Sequence, residues 1–184
     1  ELQKSYAYLV QKYQLQEKVI GSVEFFKHRP DNFPTIRLVQ LANLYFYRKN
    51  LFSLVMNCTS VNELYQIFNL GVSEYWETHY NFDKESSKKM KKLSKSFIDL
   101  LVVNTIIPLR FAYGRSQQKE ITQELIDLAI TIPSEQNVII EKFEAFGIRS
   151  KNVYESQALL QLKKNYCDYK KCLDCAIGHF ILKK

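Results

Sequence analysis

Four residues near the end of the chain have the types and the spacing of metal ligands. Cys167, Cys172, Cys175 and His179 follow the pattern C-x4-C-x2-C-x3-H. Two thiolates separated by two residues can reach one ion, which makes a CxxC pair a common half-site for zinc or an iron–sulfur cluster. If residues 172–179 form a helix, the last two cysteines and the histidine share one face. The sequence therefore predicts a candidate zinc or iron–sulfur site in this segment.

Two other interpretations of the same cysteines stay open. Cysteine is among the most buried residue types, so the thiols could simply pack against apolar neighbours. A disulfide between Cys167 and either Cys172 or Cys175 is an alternative if the protein is exported. The remaining cysteine, Cys58, competes with His179 as a further ligand if a metal is bound.

A second set of candidate residues is basic. The chain has 26 lysines and arginines against 19 acidic residues, a formal net charge of +7, and such an excess favours an anionic partner such as nucleic acid. Part of the excess lies in the stretch DKESSKKMKKLSKS, which is either a phosphate-facing patch or a solvated loop and helix start. Interleaved aromatic residues are absent from it, so base stacking is not predicted. Its lysines are Lys84, Lys88, Lys89, Lys91, Lys92 and Lys95.

Polar residues within apolar segments form the third set. A buried polar group without a partner costs about 1–3 kcal/mol, so such residues need one another or a ligand. They form either a structural network or a polar groove for a small molecule or phosphate, with Arg37 as its anchor. The set comprises Arg37, Gln40, Asn104, Glu135, Asn137, Gln157 and Gln161.

No complete catalytic signature accompanies these sets. HExxH, GxSxG, the P-loop and the Rossmann glycine pattern are all absent from the sequence. The three histidines are far apart along the chain. The sequence therefore gives no recognisable enzyme active site.

The elements that must position these residues are predicted to be helices. Apolar residues make up 46% of the chain, with 12 Tyr and 12 Phe but only 5 Gly and 4 Pro. Few helix breakers and many long apolar side chains predict an all-α chain, a single compact domain of about eight helices over residues 1–184. Thr35, Ser60 and Ser134 are the predicted N-caps of three helices, and Glu63 completes a capping box after Ser60.

Several segments have more specific expectations. The helix that starts near Thr35 is apolar almost all round, which predicts burial on most sides. VSEYWETHYNF predicts a short helix, and SFIDLLVVNTIIPLRFAYG predicts a buried helix with a kink near Pro108. Gly114 and Gly147 are predicted to end helices.

The expectation is a cytoplasmic protein without membrane contact. No apolar run reaches the roughly 20 residues that span a bilayer. No signal peptide is recognisable at the start of the chain. The first residue is Glu1 and not Met, which favours a piece of a longer protein.

Several strings of the sequence, taken together, resemble a known protein family. HRPDNFPTIRLVQLANL, YWETHYNF, NTIIPLRFAYG, SQALLQLKKNYC and KKCLDCAIG, in that order, resemble the C-terminal half of a family in Bacteroidetes, domain-of-unknown-function family 2851. The resemblance runs from near Leu2 to Gly178. It implies that the three clustered cysteines belong to the family pattern, with a variable residue at the position of His179.

The resemblance also implies a larger protein. Family members are about twice this long, and their N-terminal half is similar to the PD-(D/E)xK nuclease core. On that basis the chain is expected to be a helical accessory domain of a nuclease-like protein that assists nucleic-acid binding, with the N-terminal half as its partner. The alternative is a structural or protein-interaction module with a metal- or thiol-stabilised C-terminus and no nucleic-acid contact.

Overall fold

Helices dominate the chain. The computed structural model describes residues 2–16, 25 and 28–182. The all-α prediction is confirmed, although the helical residues are divided into more and shorter segments than expected. In chain order the helices are α1 (Leu2–Tyr13), α2 (Pro34–Tyr47), α3 (Leu51–Asn57), α4 (Val61–Phe68), α5 (Glu74–Glu77), α6 (Lys95–Leu101), α7 (Ile107–Ser116), α8 (Thr122–Ile130), α9 (Val138–Ala145), α10 (Val153–Leu162) and α11 (Ala176–Leu182).

A small hairpin interrupts the helices between α5 and α6. Strands β1 (His79–Asn81) and β2 (Lys84–Glu85) pair antiparallel, across a turn in which Asp83 has a φ of 60°. VSEYWETHYNF was predicted to form a helix, and this is correct only for the four residues of α5. After α5 the carbonyl oxygens of Trp76 and Glu77, which a longer helix would bond to its own amides, accept hydrogen bonds from the ammonium group of Lys91 instead.

The hydrophobic core lies where α3, α4 and the long helical stretch of α6 and α7 meet α8 and α10. Its members are apolar residues with less than a tenth of their surface exposed. Because these helices are short, each contributes only one to four side chains to the core. They include Leu44, Val55, Leu64, Phe68, Val102, Ile106, Leu128, Ile132 and Val153.

The helix ends follow local hydrogen bonding. Ser60 caps α4 as predicted, because its hydroxyl accepts a hydrogen bond from the Glu63 amide at 3.3 Å. The Glu63 carboxylate reaches back one residue further than expected, to the amide of Thr59 at 3.1 Å. Gly147 follows α9 with a φ of +83°, so its predicted role as a helix terminator is confirmed.

Two predicted caps are wrong. Thr35 lies inside α2, which begins at Pro34, and its hydroxyl donates to the carbonyl oxygen of Tyr80 at 2.5 Å. Ser134 lies three residues before Asn137, which is the true N-cap of α9. Its hydroxyl contacts the hydroxyl of Ser150 at 2.6 Å. In both cases a tertiary partner takes the hydroxyl group that the local pattern assigned to a helix end.

The segment from Lys95 to Ser116 is one continuous helical stretch of 22 residues. Pro108 does not end it, and a wider π-helical turn over Val102–Ile106 precedes this proline. The predicted kink near Pro108 stays a prediction. By length and composition alone the stretch could cross a membrane, and it is the one such segment among the described residues. Core helices of soluble proteins meet the same criterion, and this stretch supplies core residues.

Gly114 does not end a helix, because α7 continues to Ser116. A Cβ atom at this position would lie 2.7 Å from Cδ1 of Ile121. The glycine therefore allows the start of α8 to pack closely on α7.

Helix α2 is less buried than predicted. Its buried residues are Ile36, Gln40 and Leu44. By contrast, Leu38 is 59% exposed and Phe46 is 72% exposed. The apolar side chains of α2 therefore cover the core along one stripe and face outward along the rest.

Candidate functional site

The predicted basic patch is partly neutralised in the structure. Lys88 forms an ion pair with Glu77 at 3.3 Å, and Lys89 forms one with Asp31 at 2.6 Å. The hydrogen bond from Lys89 lowers the pKa of Asp31 below its usual value. Lys89 therefore joins the segment after the hairpin to the residues before α2, and Lys88 joins it to the end of α5.

Lys91 departs most from the prediction, because it is only 3% exposed. Its ammonium group donates to the carbonyl oxygens of Trp76, Glu77 and His79 at 2.5, 3.0 and 3.0 Å. It also lies 4.0 Å from the centre of the Tyr80 ring. Burial lowers the pKa of this lysine. A side chain fixed in this way cannot contact a phosphate, so the inclusion of Lys91 in a phosphate-facing patch is wrong.

Three lysines of the predicted set are left with exposed side chains. Lys84, Lys92 and Lys95 make no ion pair with any described residue. The ammonium group of Lys95 lies 4.7 Å from the centre of the Tyr65 ring. The basic patch is therefore about half as large as the sequence suggests.

Cys172 and Cys175 lie in a turn before a helix, and Cys167 lies at the end of another helical segment. Cys167 ends a π-helical segment, Lys163–Cys167, and α11 begins only at Ala176. The Cys175 amide donates to the carbonyl oxygen of Cys172 at 3.4 Å, as in a turn. The condition for a shared face, a helix over residues 172–179, is therefore met only from Ala176 onward, and Cys172 and Cys175 lie outside that helix.

The thiols are free in the structure. Cys167 and Cys172 are exposed, Cys175 is half-buried and His179 is exposed. Cys58 is in the core, 4% exposed, and burial raises the pKa of its thiol. Within the described residues, no three His, Cys, Asp or Glu side chains are arranged to hold a metal ion. A zinc or iron–sulfur site stays a prediction, and it requires this segment to rearrange.

The predicted polar set divides into two groups, of which the first is structural. Arg37 donates to the side chain of Gln40 at 3.0 Å and to that of Asn32 at 2.5 Å. Its guanidinium group lies 3.8 Å from the centre of the Phe97 ring. Gln40 in turn donates to the carbonyl oxygen of Lys91 at 3.2 Å. These contacts bind α2 to the loop before α6, so Arg37 does not anchor a groove shared with the other group.

The second group lines one pocket of about 500 Å³ between α9, α10 and the π-helical turn before α7. Gln157 donates to the carboxylate of Glu135, and Asn104 donates to the carbonyl oxygen of Leu100 at 3.0 Å. Asn137 is the N-cap of α9, because its side-chain oxygen accepts from two amides at 3.0 and 3.1 Å. Gln161 also lines the pocket. The sequence thus identified residues that do meet, and most of them already have structural partners.

An apolar groove was missed by the sequence analysis. It has a volume of about 790 Å³ and lies between α2, α3 and the long helical stretch. Leu41, Tyr45, Phe52 and Leu109 line it with 48, 63, 50 and 43% of their surface exposed. The signal was present as the all-round apolar character of α2, which indicates burial without saying whether this chain or another covers the helix.

A pocket around a buried arginine was also missed. Arg110 of α7 lies on its wall, with a side chain that is 9% exposed. The pocket has a volume of about 730 Å³ and is also lined by Lys95, Glu124 and Asp127. The signal was a single cation inside the apolar run NTIIPLRFAYG, since arginine is almost never fully buried unless it is paired.

Helices around a hydrophobic core and one short hairpin define an all-α protein. A family model described as "Protein of unknown function (DUF2851)" matches residues 1–138. The chain therefore belongs to this family. No curated protein and no solved structure matches the chain.

The match covers the basic patch, the apolar groove and the buried arginine. It ends at residue 138, before α10 and before the clustered cysteines. The resemblance extends the family pattern to Gly178, and this extension lies beyond the matched residues. Membership of the cysteines in the family pattern therefore stays a prediction.

Proposed function

We propose that the chain is a helical interaction module whose apolar groove receives an apolar segment of the N-terminal half of the longer family protein. The observation that carries this proposal is the row of exposed apolar side chains along the groove. Contiguous apolar surface of this kind, with polar residues at its edge, is typical of a protein–protein contact. An aromatic pair adjoins it, since the rings of Phe52 and Tyr113 lie 5.1 Å apart.

Charge narrows the chemistry of the partner segment. The chain carries a formal net charge of +7, and Lys49 lies at the edge of the groove. An amphipathic helix with an apolar face and acidic flanking residues complements both features. The proposed occupant is therefore an acidic amphipathic segment.

Hydrogen exchange on the full-length protein tests this. The amides of α2 and α3 should exchange more slowly in the full-length protein than in this chain alone, because the partner segment covers them. Tyr45→Glu in the full-length protein should remove that protection. Phe46→Glu is the matched control, because Phe46 is 72% exposed and does not line the groove.

Two results would contradict the proposal. Equal exchange in the full-length protein and in the isolated chain would show that no intramolecular segment covers the groove. Light scattering that finds a dimer of the isolated chain, dissociated by Tyr45→Glu, would assign the groove to a second copy of this chain.

A second candidate function is assistance in nucleic-acid binding, as an accessory domain of a nuclease-like protein. The observation in its favour is the group of three exposed lysines that form no ion pair with a described residue, Lys84, Lys92 and Lys95. Three phosphate contacts give a slope of about −3 in a plot of log K against log salt. Replacement of the three lysines by glutamine should flatten that slope, whereas Lys142→Gln, on α9, should not. Absence of DNA binding at low salt by both the chain and the full-length protein would refute this function.

A further inference from the structure

The guanidinium group of Arg110 is buried with few partners. One terminal nitrogen donates to the carbonyl oxygen of Cys58 at 2.8 Å, at the end of α3. The other lies 3.8 Å from a carboxylate oxygen of Glu124, which is beyond hydrogen-bond distance. A guanidinium group has five N–H donors, and the described residues make no further hydrogen bond to it. Most of its hydrogen-bonding capacity is therefore available to the pocket.

The pocket beside Arg110 is large enough for a small molecule. Its volume of about 730 Å³ falls within the usual range for ligand sites, about 300–1,000 Å³. The loop between α3 and α4 forms one wall, and α8 forms another. Close packing of Ile121 on Gly114 holds the start of α8 against α7, so the two α8 positions that carry carboxylates lie on the same pocket as the arginine.

The charges around the pocket are of both signs. Arg110 and Lys95 supply two cations, and Glu124 and Asp127 supply two carboxylates three residues apart on α8. The Glu124 side chain is 68% exposed, so it remains largely in water and does not neutralise the buried guanidinium group closely. A simple anion would pair with Arg110, but the carboxylates of α8 would repel its remaining negative charge. A ligand with both signs of charge would pair with Arg110 at one end and with the carboxylates of α8 at the other.

We propose that this pocket binds a small zwitterionic molecule. Its carboxylate or phosphate group pairs with Arg110, whose planar fork matches two oxygens of either group. Its ammonium group faces Glu124 and Asp127. Hydrogen-bonding groups of Asn62 and Thr131, which also line the pocket, contact the part of the molecule between the two charges. This site and the apolar groove have Met56 of α3 in common, and the other residues that line them differ.

The competing explanation is purely structural. An arginine that donates to the last carbonyl of a helix stabilises the helix end, and Arg110 does this for α3. A structural role alone predicts that no ligand binds, and that removal of Arg110 changes stability only. The test must therefore measure binding.

Isothermal titration calorimetry on this chain with two families of zwitterions provides that test. Free α-amino acids carry a carboxylate and an ammonium group, and phosphoethanolamine carries a phosphate and an ammonium group. Acetate, inorganic phosphate and ethylamine are the single-charge controls. At least one zwitterion should bind with a Kd below about 1 mM and at least about tenfold more tightly than every single-charge control. The set of zwitterions that binds more tightly shows whether Arg110 pairs with a carboxylate or with a phosphate.

Variants assign the binding to the pocket. Asp127→Asn should weaken zwitterion binding about tenfold, because one charged hydrogen bond is lost, and should leave acetate binding unchanged or stronger. Glu141→Gln is the matched control, since it removes one exposed carboxylate from α9, away from the pocket. Arg110→Lys should weaken binding of every oxyanion. Chemical shifts of the Arg110 Nε–H group in the unaltered chain report contact directly if that variant does not fold.

Three outcomes would overturn the proposal. One is the absence of saturable heat with every zwitterion up to about 10 mM. Another is equal affinity for acetate or phosphate and for the matching zwitterion. The third is binding that leaves the Arg110 Nε–H signal in place and is insensitive to Asp127→Asn.

Discussion

Replacement of Lys91 by methionine should destabilise the fold far more than the same change one residue later. Methionine keeps an unbranched apolar stem of similar length and removes the ammonium group. In the folded protein that group donates to three carbonyl oxygens at 2.5, 3.0 and 3.0 Å, from the end of α5 and from β1. The substitution therefore removes the hydrogen bonds from residue 91 to α5 and β1 without opening a large cavity.

The size of the effect follows from these contacts. A hydrogen bond to a charged group contributes roughly 1.5–3 kcal/mol, but the three bonds share one donor group and are not additive. Part of their contribution is offset, because methionine no longer has to bury a charge, which the lowered pKa of Lys91 shows to be unfavourable. We expect a loss of about 3 kcal/mol in the free energy of unfolding, or roughly 6–12 °C in Tm for a chain of this size.

Urea unfolding followed by circular dichroism measures this difference. Lys92→Met is the matched control, because Lys92 is the next residue, is exposed and makes no ion pair with a described residue. If the Lys91 and Lys92 variants unfold within about 0.5 kcal/mol of each other, the ammonium group does not hold the hairpin and the reasoning fails. Hydrogen exchange should also show faster exchange at the Lys89 amide, which donates to the carbonyl of Glu77.

Three further predictions concern caps, pH and thiols. Asn137→Ala should cost about 1 kcal/mol of stability in a urea titration, because two amides of α9 lose their acceptor; a change below about 0.3 kcal/mol would contradict the assigned cap. The folded-state pKa of Asp31 lies below its ordinary value of 3.8, so its contribution to stability is present above about that pH and is lost as pH falls through the lower folded value. The stability difference between the unaltered protein and Lys89→Met should therefore shrink on acidification, and a constant difference from pH 5 downward would refute the ion pair. In a thiol-reagent titration at pH 8, the three C-terminal cysteines should react quickly and Cys58 slowly, since burial raises the pKa of the Cys58 thiol; fewer than three fast thiols, with bound zinc found by elemental analysis, would instead support the metal site.

Features that depend on neighbouring residues were readable in the sequence. The capping box at Ser60 needs only residues of the same turn, and the terminator at Gly147 needs only a residue that tolerates positive φ. The caps assigned to Thr35 and Ser134 failed because distant partners, Tyr80 and Ser150, bind those hydroxyl groups instead. Local patterns state what a residue can do, and tertiary contacts select among the choices.

The candidate sites show a similar division. Lys91 looks like its neighbours in the sequence, and only the fold reveals that three carbonyl groups surround it. An apolar face on α2 indicates coverage but does not specify which chain covers it. The pocket at Arg110 could have been predicted from the sequence, because a lone cation in an apolar run needs a partner or a ligand.

The π-helical turn over Val102–Ile106 has a consequence for insertions and deletions. Buried residues recur every four positions along the long helical stretch, at Ile98, Val102, Ile106, Arg110 and Gly114. In a regular α-helix each step of four overshoots a full turn by about 40°, so the last of these residues would be rotated by about 160° from the first. The wider turn absorbs part of that rotation. Deletion of one residue within it would restore regular winding and would leave eleven steps of about 100° between Ile98 and Arg110, which is within about 20° of three full turns. Arg110 would therefore keep facing its pocket, whereas a deletion from the regular turns on either side would rotate it away by about 100°.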